Sequence, residues 1–219
     1  MNGSSIYLRR LRKVLARLDH SALDHGVDLI DDAWRRGRQV ITCGNGGSAL
    51  TALHYIADWN KTLTAVGLRP FRGRCLAENM GLLTAHANDE SYQDAYSAQL
   101  RSALRDGDLL IAVSCSGNSE NVIRAVEYAK ANGAETLGLC GFSGGRLRTV
   151  AHHAIWVACD DMQLCEDVHA MFGHIALQTL SARVRGFSPL PRMNACAHGT
   201  ALAQESTEGP PRRHRAVAR

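Results

Sequence analysis

No stretch of the 219-residue chain approaches the roughly 18 uninterrupted apolar residues that a membrane span requires. The N-terminal MNGSSIYLRRLRK also lacks the apolar core of a secretory signal. A cytoplasmic protein with no membrane partner is therefore expected. Cysteine occurs seven times but never as CxxC, and the count is odd, which excludes both a disulfide framework and a cysteine zinc knuckle. The thiols read as reduced core residues. Net charge is also nearly missing from the body of the chain. Of the formal +4, five Arg against two Glu from Gly186 onward account for +3, and everything before carries +1. Arg9, Arg10, Arg12 and Lys13 sit on an N-terminal helical pattern and read as a solvated face, so no nucleic-acid partner is inferred. Neither GxGxxG nor a Gly-Lys-Ser/Thr loop is present, which argues against a dinucleotide or a nucleoside triphosphate as ligand.

What is present fits one main domain, since this length supports one well-buried core and is short for two. Apolar residues at helical spacing run through Ile6, Leu8, Leu11, Val14, Leu15 and Leu18, and again through Leu23, Val27, Leu29, Ile30 and Trp34. Short β-branched apolar runs then alternate with helical stretches. The strands expected are 39–44, 108–115, 135–141 and 153–159, with a weaker candidate at 74–78. The helices expected are 49–60, 92–104, 120–131 and 164–183. Such alternation predicts an α/β fold with a parallel sheet covered on both faces, whose ligands bind beyond the carboxyl ends of the strands. The domain is read as residues 1–185. Residues 186–219, rich in small, polar and proline residues, read as a disordered basic tail.

Two loops fall where that rule puts a ligand. GNGGS, Gly44 to Ser48, follows the first strand and leads into a helix, so glycines permit a close backbone approach while free N–H groups and the Ser48 hydroxyl attract an anion. SCSGNS, Ser114 to Ser119, repeats the arrangement after the third strand with three serines. Either loop alone is a common turn, and Ser119 alone would serve to cap its helix. Two together, without a lysine, point to a phosphorylated small molecule.

Further along the first of these helices, His54 and Asp58 are one turn apart on one face. Glu166, His169 and His174 share the last helix, with Glu166 and His174 two turns apart. His-carboxylate pairs of this kind serve metal binding or acid/base catalysis. His169 reads as a core residue that orients its neighbours, His152 and His153 as packing or exposed residues, and Cys43 and Cys115 as buried fillers beside the loops.

GNGGSA followed by ALH, LLTAHANDESY, SCSGNSENVIRAVEYAKANGA and EDVHAMFGHI, in this order, resemble the sugar-isomerase (SIS) domain, specifically its phosphoheptose isomerase branch. The resemblance spans about Ile6 to Arg183. It implies a flavodoxin-like three-layer sandwich, a homotetramer with active sites at subunit interfaces, and conversion of sedoheptulose 7-phosphate to a heptose 7-phosphate aldose through an enediolate. The family's substrate contacts fall on Asn45, Gly46, Gly47, Ser48, Asn88, Asp89, Ser114, Cys115, Ser116, Ser119 and Glu166. Its zinc, one per subunit, would be held by His54, Asp58, Glu166 and His174. The base falls on Asp58 and its partner on His174.

Three positions depart from the family pattern, among them Leu53, where relatives carry a glutamine. Asp58 replaces a glutamate, which withdraws the carboxylate by on the order of 1 Å, a shift able to cost roughly 100-fold in rate. Glu166 replaces a glutamine, and as a second anionic ligand, or as the base itself, it would compensate. A non-catalytic SIS tetramer acting as a protein-binding scaffold, or a phosphosugar sensor, is the alternative that the altered acid position leaves open.

Overall fold

The computed structural model describes residues 2–66 and 69–186. Residues 187–219, on which the expected tail falls, lie outside the described residues.

In chain order the elements are α1 (Gly3–Leu15), α2 (His20–Arg35), β1 (Val40–Gly44), α3 (Gly46–Val66), β2 (Gly73–Cys75), α4 (Met80–Asp89), α5 (Ala95–Ala103), β3 (Leu109–Ser114), α6 (Glu120–Ala131), β4 (Glu135–Cys140), α7 (Leu147–Val150), β5 (His153–Trp156) and α8 (Met162–Arg185). The five strands pair in parallel in the order β2-β1-β3-β4-β5. This is the flavodoxin-like order, in which the chain reverses its direction of travel between β1 and β3. Every residue of β1 and β3 is buried, as expected of strands covered on both faces.

Strand periodicity divides the core in two. Leu109, Ile111 and Val113 point to one face, where they meet α2, α3 and α8 through Val27, Ile30, Tyr55, Trp59 and Phe172. Leu110 and Ala112 point to the other, against Tyr96 and Leu100 of α5 and Val122 and Val126 of α6. The α2 stripe Leu23, Val27, Ile30 and Trp34 is the one its spacing predicts, and Asp19 starts that helix by accepting from the Ser21 and Ala22 N–H groups. Helix α8 opens on an Asp161 side chain that accepts from the Leu164 N–H, and it closes on Gly186 at φ 68°. Helix α1 buries none of its residues completely. Its Leu11, Val14 and Leu15 rest against Cys115, Val157, Cys165 and Val168.

Several elements differ from the sequence reading. Helix α3 begins at Gly46, so most of the GNGGS stretch is the helix's own first turn rather than a loop ahead of it. Helix α5 begins at Ala95, not Tyr92, because Ser91 and Asp94 close a turn on each other. Helix α4 was not expected. It buries no residue and so shows no apolar stripe, and it is started instead by Asn79, whose side chain accepts from the Leu82 N–H. The four-residue α7 is too short to leave a periodic signal. Among the described residues no helix is long and apolar enough to cross a membrane.

Candidate active site

A cavity of about 330 Å³ opens beyond the carboxyl ends of β1 and β3, at the point where the strand order reverses. Asn45, Gly46, Gly47 and Ser48 line one side, and Ser114, Cys115, Ser116 and Ser119 the other. Gly46 sits at φ 52°, a conformation glycine adopts without steric cost, and it turns the chain from β1 directly into α3. The first N–H groups of α3 and α6 have no partners within their own helices, and they supply positive potential toward an anion. Ser119 occupies the N-cap of α6 without making a side-chain cap bond. Its Oγ lies 3.3 Å from Ser114 Oγ instead, so the hydroxyl is not spent on starting the helix.

Asn45 is held on several sides. Its Nδ2 donates to Asn121 Oδ1 at 2.8 Å, while its Oδ1 accepts from Asn121 Nδ2 at 2.9 Å and Tyr92 Oη at 2.8 Å. Tyr96 Oη donates to the Gly44 carbonyl at the strand end. Asn121, Tyr92 and Tyr96 were not singled out in the sequence. Asn121 had a local signal, the second asparagine of SGNSEN, whereas the tyrosines arrive from α5 and its approach, far away in the chain. Phe142 and Met162 complete the lining. Phe142 has φ 49°, costly for a residue with a Cβ, and is held there by its N–H donating to the Cys159 carbonyl and its carbonyl accepting from Trp156 Nε1.

Glu166 reaches the same cavity from α8. Its carboxylate packs directly over Gly47, where a Cβ would lie 2.4 Å from Oε1. Helices α3 and α8 then continue side by side in the same direction. Gly173 faces the Tyr55 ring so closely that an added Cβ would lie 2.3 Å from it, and the Trp59 indole donates to the Gly173 carbonyl at 3.1 Å. Tyr55 Oη donates to the His169 carbonyl. This packing brings His54 and His174 together, Nε2 to Nε2 at 3.0 Å, with His54 Nε2 3.4 Å from Asp58 Oδ2.

One ligand atom from each of His54, Asp58 and His174 lies within 4.8 Å of the others. Two imidazole nitrogens and a carboxylate oxygen on a solvent-facing surface are a donor set suited to a divalent metal that keeps an open position. Glu166 stands outside this group of three, against Gly47. At a rise of ~1.5 Å per residue, the step from Gly47 to His54 along α3 places the imidazoles about 10 Å from the loop amides.

The remaining candidates divide clearly. Asn88 and Asp89 are exposed at the end of α4, where Asn88 Nδ2 donates to Asp89 Oδ1 at 2.8 Å, and neither lines the cavity within the single chain. Burial, aided by Cys165 and Glu166 nearby, pushes the Cys115 thiol up to about 11, so it is no thiolate nucleophile at neutral pH. Burial raises Cys43 further still. His169 is buried, with Nδ1 4.0 Å from Cys115 Sγ and Nε2 without a hydrogen-bond partner, and burial lowers it to about 4. It is therefore a neutral core imidazole. His152 and His153 both approach Glu135 at 3.1 Å near the start of β5, and His86 pairs with Glu90.

The family model described as the SIS domain matches residues 6–141. A phosphoheptose isomerase of Campylobacter concisus is 33% identical over 165 residues, covering 75% of this chain and 87% of that protein. One from Chlorobaculum parvum is 34% identical over 182 residues, covering 81% and 86%. Among solved structures, a phosphoheptose isomerase from Francisella tularensis superposes with a TM-score of 0.73 at 23% identity, covering 81% of this chain and 93% of that one, which supports the fold.

Proposed function

The chain belongs to the SIS domain family, in its phosphoheptose isomerase branch, and is an isomerase of phosphosugars; from that premise we propose that it interconverts sedoheptulose 7-phosphate and an aldose heptose 7-phosphate. The observation that carries this reading is the meeting of two sites on the paired helices α3 and α8. An anion cradle of backbone amides and hydroxyls lies at their N-terminal ends, and an imidazole-carboxylate cluster lies about 10 Å further along. That spacing suits an extended sugar held by its phosphate at one end and by its carbonyl at the other.

The reaction is redox-neutral and needs only proton movement. Asp58, as carboxylate, takes a proton from the hydroxymethyl carbon beside the ketone. The electron pair left behind forms the carbon-carbon double bond of an enediolate, and the former carbonyl oxygen takes up the charge. His174 exchanges protons with the two oxygens, and return of a proton to the second carbon, with loss of one from the terminal hydroxyl, yields the aldehyde. Gly46, Gly47 and Ser48, with Ser114, Ser116 and Ser119, fix the phosphate, and Asn45 is pre-oriented by Asn121 and Tyr92 toward the sugar hydroxyls. Glu166, at the cavity wall over Gly47, is placed to receive a sugar hydroxyl or to assist as base. Zinc held by His54, Asp58 and His174 would supply Lewis-acid stabilisation of the developing oxyanion.

The active unit is proposed as a cytoplasmic homotetramer in which neighbouring subunits complete the sites. Leu50, 69% exposed on the first turns of α3, and Met162, 49% exposed at the cavity wall, are apolar surface that such packing would cover. The deciding experiment incubates purified protein, with and without zinc, with sedoheptulose 7-phosphate and follows aldose formation and solvent proton exchange by NMR. Wild type should turn over, and Asp58→Asn and His174→Ala should each lose on the order of 100-fold or more. Absence of turnover above those variants would overturn the assignment.

A further inference from the structure

At the opposite, amino ends of the strands lies a second cavity, of about 520 Å³, lined by Arg35, Arg36, Gly37, Arg38, Arg69, Arg72, Arg105 and Asp108. Its position follows from the register. Val40 pairs with Gly73 and with Leu109, so three strands begin side by side, and the residues just before them converge. Each of these approaches carries an arginine: Arg38 ahead of β1, Arg72 ahead of β2 and Arg105 ahead of β3. Arg35 and Arg36 are neutralised locally by Asp31 and Asp32 at 2.7 and 2.8 Å. Arg38, Arg69, Arg72 and Arg105 form no salt bridge among the described residues.

Two of the guanidiniums, those of Arg38 and Arg72, are held by backbone, which orients them without cancelling their charge. Arg38 Nη1 donates to the Asp106 carbonyl at 2.7 Å and packs against Gly107, while Arg72 Nη1 donates to the Gly37 carbonyl at 2.9 Å. Arg69 Nη1 also lies against Gly37, 2.8 Å from where a Cβ would stand. Both glycines have positive φ, 68° and 79°, so these two turns present flat backbone to the arginines. The one carboxylate in the lining, Asp108, is buried and already accepts from the Gln39 and Arg105 N–H groups at 2.8 and 2.9 Å. The Asp106 carboxylate turns away toward Gly133. Four cations therefore surround a concavity whose lining, among the described residues, has no apolar side chain.

We propose that this cavity is a binding site for a small anion carrying two or more phosphoryl groups, separate from the isomerase site at the far ends of the same strands. Guanidinium forks match phosphate oxygens in pairs, and their spread over three segments suits two phosphoryl groups better than one. The arginine-rich lining of the described residues favours charge over a base or an acyl chain, which makes inorganic pyrophosphate and bisphosphorylated sugars the class.

Calorimetric titration of the full chain with inorganic pyrophosphate, fructose 1,6-bisphosphate, orthophosphate and fructose 6-phosphate tests this. The two diphosphorylated probes should bind at least tenfold more tightly than their monophosphorylated counterparts, with affinity falling as salt rises. Arg69→Gln and Arg105→Gln should each weaken them by about tenfold, and Arg101→Gln, at an arginine paired with Glu90 that lines neither cavity, should leave them unchanged. Thermal melting of each variant without ligand separates lost contacts from lost folding, and Arg69→Lys, which keeps the charge, should restore part of the affinity. Equal affinity for one and two phosphoryl groups, indifference to Arg69 and Arg105, an equal loss in Arg101→Gln, or tighter binding of duplex DNA through the same arginines would each overturn it.

Discussion

Replacing Gly173 by alanine tests whether the close approach of α3 and α8 is what assembles the imidazole-carboxylate cluster. The new Cβ would lie 2.3 Å from Cδ1 and Cε1 of Tyr55, whereas carbon atoms settle at about 3.5–4.0 Å. Tyr55 has no room to withdraw. It is buried, stacked on Trp59 at 4.9 Å, and its hydroxyl is bound to the His169 carbonyl. The helices must part by about 1 Å or more, which stretches the Tyr55 and Trp59 hydrogen bonds and separates His54 from His174. Overpacking of this kind costs roughly 1–3 kcal/mol, or a fall in melting temperature of about 3–10 °C for a chain of this size. A 1 Å displacement of reacting groups costs about 100-fold in rate. Gly81→Ala, at an exposed α4 position where a Cβ meets nothing closer than 3.5 Å, is the control and should match wild type. The assay pairs differential scanning calorimetry with turnover and with bound-metal analysis after loading. A Gly173→Ala protein that melts, turns over and binds metal as wild type does would refute the claim that this glycine sets the site's geometry.

Two further tests address the cavity wall and the core. Gly47→Ala places a Cβ 2.4 Å from Glu166 Oε1; because the carboxylate ends a flexible side chain, stability should change little while Glu166 swings from its position. Turnover should fall about tenfold, and adding Glu166→Gln should then have little further effect; additive losses measured in the double variant would show that Gly47 acts by another route. His169 provides a pH test. Burial lowers its folded pKa to about 4 from an ordinary 6.5, so above pH 6.5 neither state is protonated and the residue adds no pH dependence. Between 6.5 and 4 only the unfolded chain takes the proton, and stability falls as pH falls, by about 3 kcal/mol in all. Denaturant unfolding at pH 7 and pH 4.5 should show a loss in wild type that is mostly absent in His169→Gln; equal losses in both would place the acid sensitivity elsewhere.

Both loops that line the cavity were legible in the sequence because glycines and serines directly after apolar runs carry a local meaning, and the strand order puts those two runs next to each other. The His54-Asp58 pair was legible for the same reason, as an i, i+4 spacing on one helix. The partner His174 could be matched by resemblance, yet its 3.0 Å approach to His54 rests on Gly173 meeting Tyr55, a contact between residues over a hundred positions apart. No periodicity encodes that. Phe142 and Met162 were missed on the same ground, since each enters the cavity from a segment without a motif. Asn88 and Asp89 show the converse, because a recognisable segment sits here on an exposed helix end, outside the single-chain cavity. The arginine cavity escaped notice because its members are scattered from Arg35 to Arg105 and look like ordinary solvated charges one at a time. Strand register alone gathers them. In a parallel sheet both ends of neighbouring strands become composite surfaces, and here one end collects small hydroxyl residues and the other guanidiniums. A single topology thus builds two concavities of different chemistry, one lined by hydroxyls and glycines and one by guanidiniums.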